Sequence, residues 1–100
     1  MRRGRRAGFG WAAEQHQEIA DEQLATAELH IGEVRRNADH GFCITALEAL
    51  TMAANALGSA AHGFNAAGKA PGAMPEFRRV YKTFVDARKH IARKCMSGRG

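Results

Sequence analysis

The sequence predicts an all-α protein, a three-helix bundle preceded by a flexible basic N-terminal arm. Three observations carry that reading. The chain is rich in alanine, holds two prolines and few β-branched residues, and so favours helix over strand. Apolar residues recur every three or four positions along three segments. Glycine, proline and asparagine cluster between those segments. One hundred residues make a single domain.

Residues 1–10 (MRRGRRAGFG) have no apolar period and read as the arm. Residues 11–38 read as the first helix. Its seam of Ala20, Leu24, Ala27, Ile31, Val34 and Ala38 is spaced 4, 3, 4, 3 and 4 residues, the signature of a heptad. Asn37 to Gly41 then supplies capping residues, and a turn there lets two helical seams pack on each other. The competing reading of residues 38–42 is a continuous helix.

Residues 42–67 read as the second helix. It carries one seam of Cys43, Leu47, Leu50, Ala54, Leu57, Ala61 and Phe64, and beside it a ridge of small residues from Ala46 to Ala67. Between Gly41 and Gly68 the only formal charge is Glu48. A helix so poor in charge is ordinarily covered on most sides, which makes it the expected central helix. Thr45, Glu48, Met52, Asn55, Ser59 and His62 form its remaining side. They are polar yet nearly uncharged, and point to self-association.

Gly68 to Pro75 is a linker, and Pro75 with Glu76 suits the first turn of a helix. Residues 76–95 read as the third helix, with Phe77, Val80, Tyr81, Phe84, Ala87, Ile91 and Cys95 on one apolar face. Its cations are expected to pair with the acids of the first helix, Glu14, Glu18, Asp21, Glu22 and Glu28. Residues 96–100 form a tail. If the third helix runs antiparallel to the second, Cys43 and Cys95 meet at one end of the bundle. Two cysteines make no disulfide framework, so free thiols in a cytoplasmic protein are the expectation.

Charge localises the candidate binding chemistry. The chain carries a net +5, but residues 1–10 hold four arginines and no acid, while the other ninety residues hold 11 basic and 10 acidic side chains. Arg2, Arg3, Arg5 and Arg6, with Phe9 and Trp11 behind them, combine phosphate-binding guanidinium groups with rings able to stack on bases. The expected partner is nucleic acid or an acidic protein surface. Arg78 and Arg79, near where the arm is expected to emerge, would extend its footprint. No apolar run follows the arginines, so they do not open a signal peptide, and no segment reads as a membrane span.

Catalytic and metal motifs are incomplete. Gly63 to Lys69 approaches a phosphate-binding loop, but Ala70 stands where the hydroxyl residue belongs, and a helix rather than a strand precedes it. His30 and Glu33 are one turn apart, without the further ligands a metal needs. No cofactor or metal is expected. Arg35 and His40, four residues between them, resemble the ribonuclease signature of HEPN domains, which are helical and of similar size. That resemblance implies RNA cleavage as an alternative function. The leading expectation is a non-enzymatic binding or assembly protein that forms a homo-oligomer. A compact inhibitor or adaptor of one protein is a further alternative.

Overall fold

The computed structural model describes residues 2–96, with side chains from residue 12 onward. It is all-α. Helix α1 spans Arg2–Asp39, α2 spans Cys43–Ala66 and α3 spans Pro75–Ile91, the last continued by a π turn over Ala92–Met96. A short 3₁₀ turn, Pro71–Ala73, lies in the linker. No strand occurs among the described residues.

The backbone of residues 2–10, expected as a separate arm, instead continues α1 from Arg2. Once a helix is nucleated, each added residue costs little, so glycines at its end need not stop it. The turn between the first two helices is as expected. Gly41 adopts φ 81°. The Phe42 amide donates to the Asn37 carbonyl at 2.8 Å and the Gly41 amide to Ala38 at 3.0 Å, which closes α1 in a Schellman motif. Gly68, φ 84°, ends α2 the same way: Lys69 N–H donates to Phe64 and Gly68 N–H to Asn65. Pro75 opens α3, where its missing N–H costs nothing.

All six residues of the α1 seam, Ala20 to Ala38, are buried. On α2 the small ridge packs closest, and Leu57 and Phe64 of the larger seam are buried beside it. The small ridge, Ala46, Ala49, Ala53, Ala56, Ala60 and Gly63, is buried, while Leu47 and Ala54 of the larger seam are exposed. Small side chains let two backbones approach closely, and at Gly63 nothing larger than hydrogen fits. A Cβ there would sit 2.9 Å from the Ala20 Cβ and 3.1 Å from the His16 carbonyl oxygen. Among the described residues, nine of the seventeen buried hydrophobic side chains are alanine. Each buries little apolar area, so the core gains its cohesion from closeness of packing.

Helix α3 runs parallel to α1 and antiparallel to α2. It lies in the groove between them and touches α1 more than α2. The expectation of α2 as central helix is therefore corrected: α1 and α2 form the tight pair, and α3 lies across one side of that pair. Val80, Phe84, Ala87 and Ile91 face inward. Phe64 meets Phe77 edge-on at 6.4 Å.

Cys43 and Cys95 meet at one end of the bundle, as the antiparallel topology requires. They are not free thiols: they form a disulfide, with Cα atoms 5.8 Å apart. The topology brings Cys95 onto the start of α2, within bonding range. Residues 97–100, most of the expected tail, lie outside the described residues.

Candidate functional site

Two faces of the bundle carry the residues of interest. The first is formed by α1 and α2 on the side away from α3. From α1 it takes His16, Ile19, Gln23, Thr26 and His30, spaced 3, 4, 3 and 4. From α2 it takes Met52, Asn55, Ser59 and His62, spaced 3, 4 and 3. The two rows enclose open grooves of about 630 and 210 Å³. None of these nine residues is Asp, Glu, Lys or Arg, although 25% of the chain is. Ile19 and Met52 are each 51% exposed. On one edge, the His30 Nδ1–H donates to Glu33 at 2.8 Å.

This face contains the α2 residues expected for self-association. Thr45, Glu48, Met52, Asn55, Ser59 and His62 are all exposed, and all lie along one heptad line. Met52, Asn55, Ser59 and His62 reach the α1–α2 grooves, whereas Thr45 and Glu48 continue the line beyond them. The contribution of α1 was missed. Its signal was present, because His16, Ile19, Gln23, Thr26 and His30 form a second heptad line beside the buried seam.

The second face is α3. Of the five α1 acids expected to pair with α3 cations, Glu28 does so, whereas Glu14, Glu18, Asp21 and Glu22 make no ion pair among the described residues. Arg79 pairs with Glu28 at 2.9 Å and with Glu76 at 3.7 Å. His90 donates to Asp39 at 2.7 Å. That hydrogen bond, helped by the charges of His90, Lys94 and Arg35, holds the Asp39 carboxyl below its ordinary pKa against a smaller opposing effect of desolvation. Arg78 lines a separate groove with Gly72, Phe77 and Tyr81.

The side chains of Arg2, Arg3, Arg5, Arg6, Phe9 and Trp11 lie outside those described. The expectation that the arm emerges beside Arg78 and Arg79 needs correcting. Arg79 lies level with Glu28, and α1 rises about 33 Å between residues 6 and 28.

Arg35 and His40 take different surroundings. Arg35 lines a groove of about 280 Å³ between α1 and α3, with Glu28, Ile31, Gly32, Thr83 and Asp86. The His40 Nδ1–H donates to the Arg36 carbonyl at 2.7 Å, and its ring stacks on Phe42. In HEPN domains the pair lies within a helix; here it straddles the end of α1. The glycines of the partial phosphate-loop pattern serve packing at Gly63 and capping at Gly68.

Among the described residues no three His, Cys, Asp or Glu side chains converge to hold a metal ion. Among the same residues no helix is long and apolar enough to cross a membrane. Set against models of known protein families, characterised proteins and solved structures, the chain matches none of them.

Proposed function

We propose that this chain is a non-enzymatic binding and assembly protein. It pairs with a second copy through the α1–α2 face, and it contacts nucleic acid or an acidic protein surface through the arginines of its N-terminus. The observation that carries the reading is the two-row face opposite α3. Its two grooves hold no Asp, Glu, Lys or Arg, its rows are heptad-spaced, and it is lined by half-exposed Ile19 and Met52. A copy packed on it completes a four-helix arrangement of two α1–α2 pairs. Grooves without formal charge can meet themselves in a twofold interface, with Glu48 beyond them at one end of the α2 row.

Sedimentation equilibrium tests this on the intact, oxidised chain. The expected result is a dimer that dissociates when Asn55→Glu and Ser59→Glu are introduced together. A monomer at every concentration overturns it.

A second reading is a compact adaptor or inhibitor of one protein, and the disulfide favours it. Small disulfide-stapled domains are common where a modest core must present a rigid surface. The same bond removes the premise of free thiols on which a cytoplasmic location rested. An oxidising compartment is the better proposal.

A further inference from the structure

We infer that the outer face of α3 is a binding surface for single-stranded nucleic acid, separate from the N-terminal arginines. The inference deepens the nucleic-acid part of the proposed function. It rests on how the fold sorts charge, which the near-neutral total for residues 11–100 conceals. From residue 75 to 96 there are seven basic and two acidic side chains, whereas from residue 12 to 39 there are two basic and seven acidic. The body is therefore polar rather than neutral, and α3 is its positive part.

The cations of α3 divide by direction. Arg79 turns to α1 and pairs with Glu28 and Glu76. Lys94 lies near Asp39. Arg78, Lys82 and Lys89 are exposed on the outer side and make no ion pair among the described residues. At 4 and 7 residues apart they form a line about 16 Å long. Arg93, also exposed, continues it by one more turn. One acid borders the line: Asp86, four residues after Lys82 and three before Lys89, lies on the edge that lines the α1–α3 groove with Glu28 and Arg35.

Beside the first cation is an aromatic platform. Tyr81 is 51% exposed and stacks on Phe77, with ring centroids 6.5 Å apart and planes 9° from parallel. It also packs on Phe84 at 6.3 Å. The Phe77 and Tyr81 rings, together with Arg78 and Gly72, line an open groove of about 350 Å³. A supported, half-exposed ring next to a row of cations is the arrangement that holds an unpaired base and its neighbouring phosphates. Paired bases are already stacked and have no face to offer, so the platform favours single strands. A row of cations alone would fit an acidic polypeptide equally well; the rings favour nucleic acid.

The test is fluorescence anisotropy of a labelled oligothymidylate over a salt titration. It uses the intact oxidised chain and a chain lacking residues 2–6. In both, Lys82→Glu with Lys89→Glu should weaken binding about tenfold or more. It should also flatten the log–log salt slope by about 1.4, two contacts at ~0.7 each. Lys82→Gln with Lys89→Gln should show the same direction with smaller size, as a check against misfolding. Tyr81→Leu should weaken binding about fivefold or more without changing the slope.

If the lysine variants bind as the parent does while loss of residues 2–6 abolishes binding, the inference falls and the N-terminal reading stands. If the intact chain binds no oligonucleotide, both fall. Equal affinity for duplex, combined with no effect of Tyr81→Leu, also overturns it. So does an acidic polypeptide that displaces the strand more effectively than unlabelled strand does.

Discussion

Replacing Gly63 by alanine probes the closest contact in the fold, and Gly58 provides its control. Both lie inside α2, where alanine gains about 1 kcal/mol over glycine in helix propensity. At Gly58 a Cβ meets nothing within 4 Å, so that gain should be realised in full. At Gly63 the new methyl would lie 2.9 Å from the Ala20 Cβ and 3.1 Å from the His16 carbonyl oxygen. Carbon atoms pack comfortably at about 3.5–4.0 Å, so α1 and α2 must separate locally by half an ångström or more. Neither obstacle is the far end of a flexible side chain. Overpacking of this kind costs about 1–3 kcal/mol. Subtracting the propensity gain leaves Gly63→Ala between neutral and about 2 kcal/mol destabilised. The two variants should therefore differ by about 1–3 kcal/mol, or several degrees or more in Tm for a chain of this size. Urea denaturation followed by circular dichroism measures the difference. Equal stabilisation by both substitutions would refute the close α1–α2 contact.

Three further outcomes follow from the same structure. Replacing Cys43 and Cys95 by serine opens a 52-residue loop and should cost up to about 4 kcal/mol by the chain-entropy relation, read as a fall in Tm that reducing agent reproduces in the parent chain. Phe64 is the largest fully buried side chain, so Phe64→Ala should cost about 3–5 kcal/mol in denaturant midpoint, against little change for exposed Ile44→Ala. His90→Ala should return the Asp39 carboxyl toward its ordinary pKa in an NMR titration. Because that pKa is lowered in the folded chain, the stability it contributes is present above the ordinary carboxylate range and is lost as pH falls through the folded value, so acid sensitivity in that window should shrink in the variant.

Where one face of a helix is apolar and the other charged, the sequence is a sufficient guide. The α1 seam illustrates this: acids and glutamines surround Ala20 to Ala38, and all six residues are buried. On α2 the guide is less sharp, because nearly every position is uncharged. The small ridge from Ala46 to Gly63 is buried with Leu57 and Phe64 of the larger seam, but Leu47 and Ala54 of that seam are exposed, a distinction hydrophobicity alone does not make. The disulfide was half legible. Topology brings Cys43 to Cys95, but bond formation depends on a separation of 5.8 Å between Cα atoms, which periodicity does not fix. The α1 half of the two-row face escaped notice for a different reason. His16, Gln23 and Thr26 are ordinary surface residues singly, and become unusual only when aligned with Asn55 and Ser59 across a groove. The opposition of acidic α1 and basic α3 was likewise hidden inside a near-zero sum.

Pairing of two copies through the α1–α2 face is the central claim, and isotope-filtered NMR on a mixture of labelled and unlabelled protein tests it most directly. Ile19 and Met52 carry exposed methyl groups on that face, one in each groove, and Tyr81 reports from α3 on the opposite side. The account predicts intermolecular contacts from the Ile19 and Met52 methyls to residues of the α1 and α2 rows of the other copy, and none from Tyr81. Intermolecular contacts confined to α3, or none at concentrations where the parent chain is fully folded, would contradict it.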